Sequence, residues 1–137
     1  MKDQLKYKRI LLKLSGESLA GNNDFGIDAK ILDFFSDEIK KVHLLGVQVG
    51  IVIGGGNIYR GLKSDGHAID RVTGDQMGML ATMINSLALQ NACENKGMFT
   101  RLMTAISMDS IAEPYIRRRA IRHLEARQFA ILPQDDL

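Results

Sequence analysis

The chain has 137 residues, of which 45% are hydrophobic and 25% charged, and its formal net charge is +2. These values suit one soluble globular domain, residues 1–137, with a core of useful size. The small net charge does not favour a nucleic-acid partner, no apolar run is long enough to span a membrane, and the polar N-terminus is unlike a signal peptide. The single cysteine, Cys93, excludes a disulfide framework, so we expect a reduced, cytoplasmic setting.

The first third of the chain alternates strand and helix. Residues 7–14 predict a strand, and a loop rich in Gly, Asn and Asp follows at residues 21–26. Asp28 is a helix N-cap candidate and Gly46 a C-cap glycine. Apolar residues recur between them at helical spacing: Ile31, Phe35, Ile39, Val42 and Leu45. Residues 47–53 are apolar at nearly every position, which predicts a strand covered on both faces.

A long helix is predicted in the middle of the chain, after a loop at residues 61–70. Thr73 and Gln76 have the spacing of a capping box, so we expect the helix to begin there and to end at Gly97. Its expected buried side consists of Met77, Leu80, Ala81, Ile84, Leu87 and Ala88.

The remaining residues predict a strand at 99–105, a short helical turn at 108–112, a helix at 115–125 and a fourth strand at 128–132. The order is therefore β-α-β-α-β-α-β. Strands that alternate with helices in this way favour a mostly parallel sheet in an α/β fold.

Two glycine-bearing loops should meet where ligands gather in such folds, at the carboxyl ends of the strands. Residues 13–16, Lys-Leu-Ser-Gly, follow the first strand, and residues 54–57, Gly-Gly-Gly-Asn, follow the second. Backbone N–H groups of a glycine loop can converge on an anion, while Lys13 and Arg60 add charge and a forked donor. The triple glycine alone fits a tight turn as well as a phosphate site, and it matches neither the Walker A motif nor the Rossmann fingerprint. Together, the two loops favour phosphate binding.

Other candidate residues carry weaker signals. Asp75 is expected in the first turn of the long helix, where a carboxylate suits the helix dipole, although it could also accept a hydrogen bond from a ligand hydroxyl or base. The methionines of that helix suit a core or a subunit interface. The three histidines are scattered, so no metal site is predicted.

Four stretches of the sequence resemble bacterial uridylate kinase (UMP kinase), a member of the amino-acid kinase family. They are YKRILLKLSGE at 7–17, FGID at 25–28, VIGGGN at 52–57 with Arg60-Gly61, and, most specifically, RVTGDQMGMLAT at 71–82. The resemblance continues through RLMTAI at 101–106 and fades after about Glu125. It implies the amino-acid kinase fold, a three-layer αβα sandwich with a mostly parallel sheet. Other amino-acid kinases, which act on carbamate, acetylglutamate or aspartate, fit the run at 74–82 less well.

The resemblance also implies a reaction, in which the γ-phosphoryl group of ATP, with Mg²⁺, is transferred to UMP to give UDP in pyrimidine nucleotide synthesis. ATP would be bound by Lys13, Leu14, Ser15, Gly16, Gly56 and Arg60, with Lys13 also catalytic. UMP would be bound by Gly55 and Asp75. The loop implicated in allosteric activation by GTP would be Gly21, Asn22, Asn23, Asp24, Phe25 and Gly26. Inhibition by UTP and a homohexamer are implied as well.

The C-terminal end departs from the family pattern. Residues 133–137, Pro-Gln-Asp-Asp-Leu, stand where the family has a Gly-Thr-Gly-Asn-Pro type of segment that grips UMP. The family's second half, with its adenine pocket and catalytic Asp, does not follow. The sequence is therefore expected to be a truncated N-terminal part with little activity alone, and the alternative is an inactive fragment or interaction module.

Overall fold

The computed structural model describes residues 5–59 and 69–133. Its elements, in chain order, are β1 (Arg9–Leu14), a 3-10 helix (Gly16–Ala20), α1 (Ala29–Leu44), β2 (Gln48–Ile53), α2 (Arg71–Asn95), β3 (Thr100–Thr104), β4 (Glu113–Pro114), α3 (Arg117–Glu125) and β5 (Phe129–Pro133). Among these described residues the five strands form one sheet in the order β1-β2-β5-β3-β4, and every pairing is parallel. The predicted α/β class with a parallel sheet is confirmed.

The sheet lies between two helical layers. Side chains alternate along β2, so Ile51 faces the layer formed by α1 and α2, whereas Val52 faces α3. Ile51 and Val52 are both fully buried, which is why β2 is apolar at nearly every position. This arrangement is the αβα sandwich that the resemblance implied.

Helix α1 begins and ends where the sequence predicts. The Asp28 side chain accepts a hydrogen bond from the backbone N–H of Lys30 at 2.8 Å, which satisfies one of the free donors of the first turn. At the other end the chain turns at Gly46, whose φ is +94°. A residue with a Cβ is disfavoured in that left-handed region, so glycine suits the exit from the helix.

The start of α2 was predicted wrongly. Thr73 is not an N-cap, because the helix already begins at Arg71 and is capped by Asp70, whose side chain accepts from the backbone N–H of Thr73 at 2.8 Å. That hydrogen bond lowers the pKa of Asp70. Asp75 consequently lies beyond the first turn, and the expectation that it complements the helix N-terminus is wrong.

The buried side of α2 was also predicted wrongly in large part. Met77, Leu80 and Ile84 are 37%, 44% and 47% exposed. The helix instead buries Gly74, Ala81, Thr82, Met83, Asn85, Ser86, Leu89 and Cys93. Its inner side thus mixes small and polar residues with apolar ones, because it packs against backbone as well as against the sheet. The C-terminal end was predicted correctly, since α2 stops at Asn95 and Gly97 has a φ of +84°.

The short helical turn predicted at residues 108–112 is present after β3. Residues 108–112 form a turn in which the carbonyl of Met108 accepts from the N–H groups of Ile111 and Ala112, at 2.9 and 3.0 Å. The chain then adds β4 beside Met103 and Thr104, a strand that the sequence did not predict. Helix α3 begins at Arg117, two residues later than expected. The fourth predicted strand is β5, which lies between β2 and β3.

No helix of the residues described, 5–59 and 69–133, is both long and apolar enough to cross a membrane.

Candidate functional site

Two predicted loops leave the sheet side by side at its carboxyl edge. In the register of β1 and β2, Leu14 is opposite Ile53, so both strands end at the same level. The backbone N–H of Gly54 donates to the carbonyl of Leu14 at 3.0 Å, which extends the pairing by one residue. The structure therefore brings the turn at residues 13–16 and the loop at residues 54–57, here called the glycine loop, into direct contact.

Gly16 lies against the glycine loop with no space for a side chain. A Cβ atom at Gly16 would lie 2.6 Å from the carbonyl oxygen of Gly54 and 2.7 Å from Oδ1 of Asn57. Ser15 caps the 3-10 helix that follows, because its Oγ accepts from the backbone N–H of Glu17 at 3.2 Å. The exposed Ser15 thus stands on a turn that is held by local hydrogen bonding and by close backbone packing.

The glycines at 55 and 56 are needed for contact with the protein itself. A Cβ at Gly55 would lie 2.8 Å from the Cβ of Ala81 and 2.9 Å from the backbone nitrogen of Thr82. A Cβ at Gly56 would lie 2.6 Å from Oε1 of Glu17. Neither glycine has a positive φ. Absence of a side chain, rather than unusual backbone geometry, therefore lets the glycine loop fit between α2 and the 3-10 helix.

Two buried asparagines connect this loop to its surroundings. Asn57 is 2% exposed and Asn85, on α2, is fully buried. The Nδ2 of Asn85 donates to the carbonyl of Gly54 at 2.7 Å and to Oδ1 of Asn57 at 2.6 Å. The Nδ2 of Asn57 donates to Oδ1 of Asn85 at 3.0 Å and to the carbonyl of Gly26 at 2.9 Å. Asn85 was not among the residues predicted for the site, although a polar residue between the apolar Met83 and Leu89 was a usable signal.

The predicted regulatory loop at residues 21–26 reaches the same place. Residues 21–25 are exposed, and Gly26 is partly buried. The backbone N–H of Gly26 donates to the carbonyl of Asn57 at 2.8 Å, so Gly26 and Asn57 exchange two hydrogen bonds. At the other end of the loop Gly21 has a φ of +60°. The loop at residues 21–26 is therefore hydrogen-bonded to the glycine loop at Gly26, while residues 21–25 are exposed to solvent.

Lys13 and Asp75, two of the charged candidates, lie on elements that meet at this junction. Lys13 is exposed, and the alternation of β1 places it on the sheet face opposite Leu12 and Leu14, which pack on the main core. Asp75 is exposed on α2, seven residues before Thr82 and thus about two helical turns, or roughly 10 Å, along the same side. Arg60 lies outside the described residues. Glu17, which was not among the predicted site residues, brings a carboxylate next to Gly56.

A second group of charged side chains lies at the other end of the sheet, around β4. Glu113 contacts His123 through Nε2 and forms an ion pair with Arg101 at 3.8 Å. Glu113 and Arg101 border a pocket of about 280 Å³ that is also lined by Gln90 and Asp109. This group lies at the sheet edge opposite β1 and is separate from the glycine loop.

Comparison with known proteins agrees with this geometry. Residues 8–136 match the model of the amino acid kinase family. The crystal structure of UMP kinase from Bacillus anthracis has a TM-score of 0.89 and 43% sequence identity, over 95% of this chain and 54% of that chain. UMP kinase from Ureaplasma parvum has a TM-score of 0.84 and 34% identity, over 93% of this chain and 54% of its own.

The chain thus spans about half the length of both kinase structures. The family match, by contrast, extends over nearly the whole of the chain, including the two strand-end loops and the helix that packs on them. By its sequence and by its fold, this chain belongs to the amino acid kinase family.

Proposed function

We propose that this chain carries the phosphate-binding half of a UMP kinase, which transfers the γ-phosphoryl group of ATP to the phosphate of UMP and yields UDP and ADP. The observation that carries the proposal is the contact of Leu14 and Gly16 with the glycine loop at the carboxyl edge of a parallel sheet, the usual place for ligands in such folds. Similarity to two UMP kinases at 43% and 34% identity supports the choice of substrate.

In this proposal the two nucleotides meet at the glycine loop, which contacts both. Lys13, Leu14, Ser15 and Gly16, with Gly56 and Arg60, bind ATP, and Gly55 and Asp75 bind UMP. Phosphoryl transfer needs alignment and charge neutralisation rather than a covalent intermediate. The ammonium group of Lys13, at the carboxyl end of β1, would neutralise charge on the transferred group.

Magnesium enters as part of the MgATP substrate. Within residues 5–59 and 69–133, no three His, Cys, Asp or Glu side chains are grouped as metal ligands. Mg²⁺ in kinase sites is usually bound through the substrate phosphates with one or two carboxylates.

Ligand-induced stabilisation tests the proposal on the purified chain. MgATP and UMP, each at about 100 times Kd, should each raise the free energy of unfolding by about 2.7 kcal/mol, measured as a shift in Tm. Lys13→Ala should raise the Kd for ATP about 10- to 100-fold, because it removes a charge-assisted hydrogen bond, and should leave UMP binding nearly unchanged. Lys30→Ala, on the exposed first turn of α1, is the matched control.

Turnover decides between the enzyme and the alternative function. UDP formation in a coupled assay that Lys13→Ala reduces by about 10²–10³-fold would establish the kinase. Binding of both nucleotides without turnover would favour an inactive binding module. A chain that neither binds nor turns over these nucleotides would refute the proposal.

We also propose that the chain self-associates through α2 and that GTP and UTP regulate it. Met77, Leu80 and Ile84 are spaced by three and four residues, so they form one exposed apolar stripe along the helix. Ile84→Glu should therefore lower the mass in solution, measured by light scattering, while the monomer stays folded. Lys30→Glu on α1 should not. An unchanged mass for Ile84→Glu would contradict self-association through this stripe.

A further inference from the structure

Four separate segments meet at the Asn57 and Asn85 side chains. Asn57 belongs to the glycine loop and Asn85 to α2, while Gly26 accepts from Asn57, and Gly16 packs on it. The two carboxamides are 2% and 0% exposed, so water does not compete for their hydrogen bonds. This pair therefore lies at the structural centre of the region that the proposed function assigns to phosphate binding.

The hydrogen bonds of the pair allow one arrangement of donors and acceptors. The Nδ2 of Asn85 faces two oxygens, the carbonyl of Gly54 and Oδ1 of Asn57. Only an NH₂ group can donate to both, and a carboxylate at this position would face two acceptors. The Nδ2 of Asn57 likewise donates to two oxygens, on Asn85 and Gly26. Both positions therefore need a side-chain NH₂ donor as well as a side chain of this size.

We infer that Asn57 and Asn85 are positioning residues, which hold the glycine loop in the one backbone arrangement that binds nucleotide phosphate. The inference rests on the proposed function. Both ends of the loop are held directly, because Asn85 donates to the carbonyl of Gly54 and the backbone of Asn57 accepts from Gly26. Between them, Gly55 is pressed against α2. Without these two side chains, the loop would lose the hydrogen bonds that fix the orientation of its backbone N–H groups.

Asn85→Asp is the sharpest test because the substitution keeps the size of the side chain. It should raise the Kd for ATP and for UMP about tenfold or more, measured by calorimetry, since two buried acceptors lose their donor. Amide hydrogen exchange of residues 54–57 should also rise about tenfold relative to the rest of the sheet. Asn57→Asp is a second variant, which keeps an acceptor for Asn85 and loses only its own donor group.

Two matched controls separate positioning from general stability. Ser86→Ala removes a buried hydroxyl on the same helix that donates to the carbonyl of Thr82, within α2. Asn91→Asp adds the same charge on the exposed side of α2. In both control variants the Tm should stay the same or fall, while the Kd for each nucleotide and the amide hydrogen exchange of residues 54–57 should not change.

The outcomes distinguish the inference from the proposed function. If the original chain binds both nucleotides and a folded Asn85→Asp or Asn57→Asp variant binds them equally well, the inference is overturned and the function stands. Equal exchange of residues 54–57 in the original chain and in these variants would overturn it as well. If the original chain binds neither nucleotide, the proposed function fails, and the inference fails with it.

Discussion

The two faces of the sheet are packed very differently. The face toward α1 and α2 carries a continuous core that includes Ile39, Ile51, Leu89 and Phe129, each at most 3% exposed. The face toward α3 has a small core, made of Val52, Met103, Ala120 and Leu132. On that second face Leu11, on the edge strand, remains 56% exposed. Stability therefore comes mainly from one face, and the difference can be measured by equivalent substitutions on the two faces.

Truncation of one aliphatic side chain on each face should have the largest and most unequal effect. Ile51→Ala should lower the free energy of unfolding by about 2–5 kcal/mol, because it leaves a cavity in a closed core. Leu11→Ala should cost less than about 1 kcal/mol, since most of that side chain is already in water. Urea unfolding of the two variants measures the difference. Equal losses would show that the second face is covered in solution.

Two glycines that contact or belong to α2 test how closely the first face is packed. Gly55→Ala should destabilise the fold by about 1–3 kcal/mol, because the new methyl would overlap Ala81 and Thr82. Gly78→Ala should stabilise it by about 0.5–1 kcal/mol, since a Cβ there would meet nothing within 4 Å apart from its own stretch of helix and alanine favours a helix. Thermal unfolding measures both changes. A stabilising Gly55→Ala would show that the loop moves away from α2 at no cost.

A weaker effect is expected from pH, through His43 on the first face. Burial lowers the pKa of His43 from its ordinary value of 6.5, and the nearby Arg127 lowers it further. Its ring packs on Phe129, with centroids 4.7 Å apart. Because the pKa of His43 is lower in the folded protein than in the unfolded chain, protonation of His43 favours unfolding. The contribution of neutral His43 to stability is therefore complete above about pH 6.5 and is lost as the pH falls through the folded value.

The free energy of unfolding should therefore decline gently as the pH is lowered from neutrality through this range. His43→Gln should flatten that decline, and Lys41→Gln, a neutralised neighbour on α1, should retain it. An identical pH profile for His43→Gln and the original chain would exclude His43 as the source.

The sequence predicted best those features that depend on nearby residues. Asp28 caps α1 because its side chain reaches a backbone N–H two residues away, and Gly46 follows α1 because a turn there needs a positive φ. The continuous apolar run of β2 correctly indicated a strand covered on both faces. In each case the physical cause lies within a few residues and leaves a local pattern.

Prediction failed where distant segments decide. Asp70 is an exception, because its contact with Thr73 is local; it was missed since Thr73 and Gln76 offered an equally plausible local pattern. The two-residue β4 has too few residues to leave a pattern and exists because β3 is beside it. On α2, hydropathy favoured Leu80 and Ile84 as the buried side, but the helix turns small and polar residues inward to pack against the glycine loop.

The candidate site shows the same division. The sequence by itself determined the fold class, the two strand-end loops and their resemblance to UMP kinase, since these depend on periodicity and on short contiguous motifs. Only the tertiary structure decided why Gly16 and Gly55 must lack side chains, and which asparagines hold the glycine loop. Those answers depend on contacts between residues as far apart in the chain as Gly16 and Asn57, and no local pattern records such contacts.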